Sequence, residues 1–202
     1  MKYTLLADGT SDAVLIPIIT WLLARRGVGE VEAQLADKYR LPQARDLGER
    51  IVDVLEYYPC DVLFIHRDAE AQSVSDRKRE IATAIRSVGT RHIPVIPVRM
   101  TEAWLLFDER AIRRAAGNPN GKNPLQLPPS TKIESLVDPK QVLHSALLEA
   151  SDLNMRRRSR FPVHDRVRRI ADYIDDYSPL LELPAFQDLE KQIEMLGINR
   201  SV

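Results

Sequence analysis

Three short apolar runs in this sequence each lead into acidic residues, and this pattern constrains the fold more than any other feature. The runs and the polar residues that follow them are residues 3–7 with Asp8, residues 62–65 with His66, Asp68 and Glu70, and residues 93–98 with Glu102. Near-continuous apolar runs of this length are typical of parallel strands covered on both faces. Ligands of an open parallel sheet bind beyond the carboxyl ends of its strands, so we expect Asp8, Asp68 and Glu102 to converge there.

The segments between these runs have apolar residues at helical spacing. Helices are predicted over 13–26, 41–58 and 73–88, and a weakly patterned segment at 28–35 predicts a second strand. Pro94 and Pro97 favour a position at the edge of the sheet for the last run. Alternation of strands and helices predicts an α/β protein with a Rossmann-like, mainly parallel sheet and helices on both of its faces.

The composition changes after residue 116. Residues 117–129 are rich in Gly, Asn and Pro and predict a loop long enough to be functional or mobile. Beyond this loop, helices are predicted over 139–150, 162–177 and 184–196. We therefore expect an α/β domain at 1–116, and a loop with a C-terminal helical extension at 117–202 packed on it.

Charge, cysteine content and motifs exclude several classes of function. Lys plus Arg equals Asp plus Glu at 29 each, so a nucleic-acid partner must bind a local patch. Cys60 is the only cysteine, which excludes an internal disulfide, disfavours thiolate zinc and indicates a cytoplasmic location. The apolar stretch 13–24 is too short for a membrane span, so no membrane partner is expected. Walker A and G-x-G-x-x-G motifs are missing, which disfavours P-loop and dinucleotide chemistry.

The acidic pair after the middle run indicates a divalent metal. Asp68 and Glu70 are two residues apart and project to the same side if the chain stays extended. Closely placed carboxylates raise each other's pKa unless a cation neutralises them, and oxygen ligands suit Mg²⁺ or Mn²⁺. His66 is either a further ligand, through a ring nitrogen, or a histidine that packs at the end of a strand.

The other acidic residues have a structural interpretation beside the functional one. Asp8 is either part of the site or a polar residue that faces solvent beyond a strand. Asp12 is either part of the site or a carboxylate that interacts favourably with the start of its own helix. Glu102 either joins the acidic group or lies in the first turn of a helix that Thr101 caps.

A basic cluster follows later in the chain, at Arg156, Arg157, Arg158 and Arg160, with further arginines at 166, 168 and 169. The guanidinium fork suits phosphate oxygens, so a nucleic-acid backbone is a natural partner for these residues. The alternative is a solvated face whose arginines pair with Asp172, Asp175 and Asp176.

Asp8, the acidic cluster at 68–70 and the segment MTEAWLL at 100–106 together resemble the TOPRIM superfamily. Within it, residues 1–116 look most like the small stand-alone bacterial TOPRIM-like proteins of unknown function that are often considered alongside phage-defence nucleases. The resemblance implies a glutamate position after the first strand, taken here by the shorter Asp8, and an Asp-x-Asp pair that holds magnesium for phosphoryl transfer on DNA or RNA. Either His66 and Asp68, or Asp68 and Glu70, take the place of that pair.

The first hypothesis is therefore a nuclease that depends on Mg²⁺ or Mn²⁺. Asp68 and Glu70 hold the ion, with Asp8 and His66 as further ligands; Asp8 also positions or deprotonates water, and Glu102 completes the acidic shell. The second hypothesis is a non-catalytic subunit that binds a partner protein or nucleic acid. A partner ATPase or a homo-oligomer is compatible with either of these two hypotheses. A receiver-like phosphoacceptor is the third, although a lysine after a further strand is missing.

Overall fold

The computed structural model describes residues 1–69 and 73–197. Its strands are β1 (Lys2–Leu6), β2 (Glu32–Leu35), β3 (Val62–His66) and β4 (His92–Val95). Its α-helices are α1 (Leu15–Arg25), α2 (Leu47–Tyr57), α3 (Val74–Ala84), α4 (Glu109–Ala115), α5 (Pro139–Ala150), α6 (Met155–Arg158), α7 (Val163–Asp172) and α8 (Pro184–Met195). Short 3-10 helices lie at Thr10–Val14, Lys38–Arg40, Thr101–Leu105, Ser130–Ser135 and Ser178–Glu182.

The strands described here form one parallel sheet in the order β2-β1-β3-β4. In this register Leu5 of β1 lies opposite Leu35 of β2 and Phe64 of β3, and Ile65 of β3 lies opposite Pro94 of β4. The predicted α/β class is confirmed. The edge position that the prolines predicted for the last strand is also confirmed, since β4 pairs with β3 alone within the described sheet.

Alternate residues of the central strands pack into two hydrophobic clusters on opposite faces of the sheet. Tyr3, Leu5 and Phe64 join the cluster that contains α1, α4, α5, α7 and α8. Leu63 and Ile65 join the cluster that contains α2 and α3. Both faces are therefore covered by helices, as the near-continuous apolar runs predicted.

Several predicted boundaries are wrong, and each has a local reason. The helix predicted from 41 begins at Leu47, because the Asp46 carboxylate caps it by accepting a hydrogen bond from the Glu49 N–H at 2.9 Å. The segment predicted at 13–26 begins as a 3-10 helix, which leaves Pro17 in the first turn of α1. Thr101 is not a helix cap: Met100 occupies that position, and the segment that follows is a 3-10 helix.

The segment predicted as a loop at 117–129 is held by side-chain hydrogen bonds. Arg113 donates to the Asn123 carbonyl at 2.6 Å, and the Asn118 amide donates to the Ala150 carbonyl at 3.0 Å. Asn123 also donates to the Asp152 carboxylate at 2.7 Å. A Cβ atom at Gly121 would lie only 2.5 Å from the Asn118 side chain, so a larger residue here would displace the Asn118 amide from its hydrogen bond to Ala150.

The helices after this segment share a core with the sheet. Trp104 and Phe186 are fully buried, and their rings meet edge to face with centroids 5.2 Å apart. Leu143 of α5, Ile170 of α7 and Phe186 of α8 all belong to the cluster that contains Phe64. Residues 1–116 and the later helices are therefore expected to unfold together.

Replacement of Phe186 by Ala tests this shared core. Loss of a fully buried aromatic side chain leaves a cavity, so we expect Phe186→Ala to lower the free energy of unfolding by about 3–5 kcal/mol. Met195→Ala on the same helix is the control, since Met195 is exposed and its loss should cost less than about 0.5 kcal/mol. Urea unfolding followed by circular dichroism and by tryptophan fluorescence should give one coincident transition. Two separate transitions would show that the C-terminal helices fold independently.

Candidate functional site

The carboxyl ends of β1 and β3 deliver polar side chains to one edge of the sheet. β1 ends at Leu6, and the chain continues through Asp8 into the 3-10 helix Thr10–Val14, which carries Asp12. β3 ends at His66, with Arg67 and Asp68 directly after it. This edge is the place where ligands of open parallel sheets bind.

A buried imidazole is the centre of this edge. His66 is 2% exposed, and its Nε2 atom lies 3.5 Å from Asp68 Oδ1, 3.8 Å from Asp12 Oδ2 and 3.4 Å from Thr101 Oγ1. On the other side of the ring, Nδ1 lies 3.1 Å from the Val95 carbonyl oxygen. Two carboxylates and a hydroxyl from three separate segments therefore face one ring nitrogen.

The chemistry of these partners assigns the proton on His66. A carbonyl oxygen only accepts hydrogen bonds, so Nδ1 carries the proton that it donates to Val95. Burial lowers the pKa of His66 and outweighs the opposite effects of Asp12 and Asp8, so the ring is neutral near pH 7. The Nε2 lone pair therefore faces carboxylate oxygens, and a cation or a donated hydrogen at this point would relieve their mutual repulsion.

Asp12 has the local role at the start of its helix that the sequence suggested, and it also lies close to the imidazole. Its Oδ2 accepts a hydrogen bond from the Gly9 N–H at 3.0 Å, which stabilises the start of the 3-10 helix. The same oxygen lies 3.8 Å from His66 Nε2. The local role thus fixes the carboxylate in a position where it faces the imidazole.

Asp8 lies in an array of ion pairs beside the imidazole. Its Oδ1 accepts from Arg50 at 2.8 Å, and its Oδ2 accepts from Arg67 at 2.6 Å. Arg67 also donates to Glu80 at 2.9 Å, and Glu80 accepts from Arg77 at 2.8 Å. Burial alone would raise the pKa of Asp8, but Arg50 and Arg67 together hold it below its ordinary value.

Glu102 interacts with the helical part of the protein. The pKa of His144 on α5 is lowered by burial and by the positive charges of His164 and Lys140. The Glu102 carboxylate opposes this shift and raises the pKa of His144. The His144 ring meets the His164 ring of α7 edge to face, with centroids 5.2 Å apart. Glu102 therefore borders α5, and its predicted membership of the acidic group stays a prediction.

The predicted metal ligands are placed differently from one another. The Asp68 carboxylate lies against the His66 ring, whereas Asp8 forms ion pairs with Arg50 and Arg67. Glu70 lies outside the described residues. Within residues 1–69 and 73–197, no group of three or more His, Cys, Asp and Glu side chains has the arrangement of a metal site. Any ion bound here would therefore take some of its ligands from water or from a substrate.

The predicted nucleic-acid-binding arginines lie on and just after the short helix α6. Arg156, Arg157 and Arg160 are exposed, and Arg158 donates to the Leu153 carbonyl at 2.9 Å. Among the described residues, none of the four forms an ion pair with Asp172, Asp175, Asp176 or any other carboxylate. The pairing that the alternative interpretation invoked is therefore not formed in the described chain, whereas the exposure of the arginines agrees with a solvated face as well as with a binding surface.

The sequence analysis did not single out Arg50 or Arg67. It also did not predict that the Thr101 side chain is buried against His66. Arg67 stands between His66 and Asp68, so its place at the strand end offered a local signal. Arg50 is 42 residues from Asp8 and offered none, because it is brought there by the packing of α2.

Comparison with protein-family models, with curated proteins and with solved structures gives no match. In the described part of the chain, no helix has the length and apolar character needed to cross a membrane. The fold thus places the chain in the class of α/β proteins with a parallel, Rossmann-like sheet, and the case for a function depends on the site itself.

The lowered pKa of His66 predicts a pH dependence of stability. The unfolded chain, with an ordinary histidine pKa of 6.5, binds a proton that the folded protein excludes, so stability is lost as the pH falls below that value. One such proton contributes a slope of up to about 1.4 kcal/mol per pH unit. We expect His66→Gln to have a shallower slope than wild type between about pH 7 and about pH 5.5 in urea unfolding. Parallel slopes would show that the folded protein does not exclude this proton.

Proposed function

We propose that this protein is a metal-dependent phosphoryl-transfer enzyme, and that it acts as a nuclease on DNA or RNA. The observation that supports this function is the approach of the Asp12 and Asp68 carboxylates to the Nε2 atom of the neutral His66. The group lies at the carboxyl edge of a parallel sheet, with arginines beside it. Acidic and basic groups at one edge suit a reaction in which a cation and a phosphate meet.

The types of donor atom suit Mg²⁺ or Mn²⁺, and an ion would have to draw the side chains of Asp12, Asp68 and His66 closer together than they lie in the described chain. Magnesium sites commonly have one or two carboxylates, with water and substrate phosphates as the remaining ligands, and Asp12 and Asp68 supply such a pair. Nε2 of His66 adds a nitrogen donor, which favours manganese over magnesium. A bound ion would stabilise charge on the phosphate and lower the pKa of a coordinated water.

The side chains around this group have separate parts in the proposal. The Val95 carbonyl fixes the His66 ring so that Nε2 faces the carboxylates, which is the usual arrangement for a histidine that ligates a metal. The lowered pKa of Asp8 makes it a poor base. We therefore propose that Asp8 serves as the ion-pair partner of Arg50 and Arg67 and does not abstract a proton. Glu70 and Glu102 retain the roles proposed from the sequence, as a further ligand and as part of the acidic shell.

The resemblance to the TOPRIM superfamily supports the same function. It implies phosphoryl transfer at acidic residues after the first and a later strand, and it extends the proposal to bacterial phage defence with a partner ATPase or a homo-oligomer.

A non-catalytic subunit that binds nucleic acid is the second candidate. Both carboxylate oxygens of Asp8 are occupied by arginines, so the residue at the predicted glutamate position is engaged outside the His66 group. The exposed arginines of α6 would serve binding equally well without cleavage.

Metal binding is the first test of the nuclease. Magnesium or manganese at 100 times its dissociation constant should stabilise the wild type by about 2.7 kcal/mol. Asp12→Asn and Asp68→Asn should each weaken binding at least about tenfold and remove most cleavage of DNA or RNA. Glu56→Gln, an exposed change near the end of α2, is the control.

Calorimetry of the metal and cleavage assays on single-stranded and duplex substrates measure these effects. Failure of either ion to bind at millimolar concentration would exclude the metal site. Metal binding without cleavage of any substrate would favour the non-catalytic subunit instead.

The arginines of α6 make a separate prediction. If they bind phosphates, changing Arg156, Arg157 and Arg158 to Ala should reduce the slope of log affinity against log salt, by about 0.9 for each duplex DNA phosphate that the variant no longer neutralises. On a single strand the reduction is about 0.7 for each phosphate. Calcium replaces magnesium in this assay to prevent cleavage, and Arg86→Ala with Arg91→Ala is the control, since both residues lie near the amino end of β4. Equal affinities and equal slopes would show that these arginines do not touch nucleic acid.

A further inference from the structure

We propose that Arg50 and Arg67 form a binding subsite for a phosphate group, and that the Asp8 carboxylate occupies this subsite in the anion-free protein. The subsite lies beside the His66 group and is distinct from it. Its ligand is a phosphate of a nucleic-acid strand, and a mononucleotide presents the same chemistry.

The geometry of the Asp8 ion pairs is that of an anion shared by two guanidinium groups. Each arginine donates from one Nη1 atom to a different oxygen of the carboxylate, at 2.8 Å for Arg50 and 2.6 Å for Arg67. Arg50 comes from α2 and Arg67 from the end of β3, so two separate elements converge on one anion. Phosphate offers more oxygens in a similar arrangement and is a preferred partner of paired arginines.

The two arginines are held in place by contacts that do not involve Asp8. Arg50 donates through Nη2 to the Ala7 carbonyl at 2.9 Å, and Arg67 donates through Nη2 to Glu80 at 2.9 Å. The arginine side chains are 25% and 21% exposed, whereas that of Asp8 is 49% exposed. Asp8 can therefore turn towards solvent while both guanidinium groups remain where they are.

Further basic side chains lie beside the two arginines. Lys38 donates to the Asp8 main-chain carbonyl at 3.4 Å, and Arg77 pairs with the Glu80 carboxylate that also accepts from Arg67. Their positive charge attracts an anion and offsets the negative charge of Asp12 and Asp68 beside His66. A cavity of about 230 Å³ opens beside Asp8, and its lining residues are Asp8, Lys38, Leu41, Pro42, Ala44 and Arg50.

The subsite deepens the proposed function and rests on it for the identity of the molecule that carries the phosphate. A phosphate bound to Arg50 and Arg67 would lie next to the residues proposed to hold the metal ion, because Arg67 directly follows His66. The arginines would then offset the repulsion between the phosphate and the carboxylates of Asp12 and Asp68.

Calorimetry in the presence of EDTA tests the subsite without any contribution from metal. The ligands are inorganic phosphate, a nucleoside 5′-monophosphate and a short single-stranded oligonucleotide. Arg50→Gln and Arg67→Gln should each weaken phosphate binding about tenfold or more, because each removes a charge-assisted hydrogen bond. Arg45→Gln is the matched control, since Arg45 is an exposed arginine near the start of α2 that pairs with Glu49, and it should leave the affinity within about twofold.

Asp8→Asn gives the decisive result, because its effect has the opposite sign. Removal of the competing charge should strengthen phosphate binding several-fold, which loss of folding cannot imitate. Weaker or unchanged binding in Asp8→Asn would overturn the subsite, and so would wild-type affinity in both arginine variants. Tighter binding of the oligonucleotide than of the mononucleotide supports a strand as the ligand, and equal affinities support a free nucleotide at the same subsite.

The failure of this inference is distinguishable from failure of the proposed function. Metal-dependent cleavage that is unaffected by Arg50→Gln and Arg67→Gln would exclude the subsite and retain the nuclease. Phosphate binding that follows the expected order, in a protein that cleaves no nucleic acid, would retain the subsite and exclude the nuclease.

Discussion

Complete burial of β3 is the constraint on which the rest of the site depends. All five residues from Val62 to His66 are buried, because helices cover both faces of the sheet at this strand. The last of them is a histidine, and an imidazole in this position loses its hydration and stays neutral. Its two ring nitrogens must then find partners within the protein: Nδ1 donates to the Val95 carbonyl, and the Thr101 hydroxyl can donate to Nε2.

Two groups of opposite character result from this arrangement at one edge of the sheet. One side of β3 carries the carboxylates of Asp12 and Asp68, which face the neutral imidazole. The other side carries Arg50, Arg67 and Arg77, which exceed the carboxylates that pair with them. Such a juxtaposition of acidic and basic groups is what a cation and a phosphate need in order to meet.

The sequence predicted those parts of the structure that depend on local patterns. The apolar runs indicated the strands, the prolines of β4 indicated its edge position, and the carboxyl edge was identified as the candidate site. The position of Arg67 at the strand end offered a local signal, but its pairing with Asp8, and that of Arg50, was not predictable, since the two arginines are 59 and 42 residues away and meet Asp8 only through tertiary packing. Thr101 was assigned to a helix cap because threonine favours that position, but its buried hydroxyl lies against His66 instead.

The exposure of Asp8 is a reason to regard its ion pairs as functional rather than structural. The Asp8 carboxylate is 49% exposed, and ion pairs screened by solvent to this degree contribute about 0.2–1 kcal/mol each. Breaking both pairs therefore costs little, whereas the arginines keep their contacts with Ala7 and Glu80. A half-exposed carboxylate between two guanidinium groups that have further partners is readily displaced by a stronger anion. Because Asp8 and Asp12 both follow β1 and are only four residues apart, such a displacement would act on the same short segment that positions Asp12 against His66.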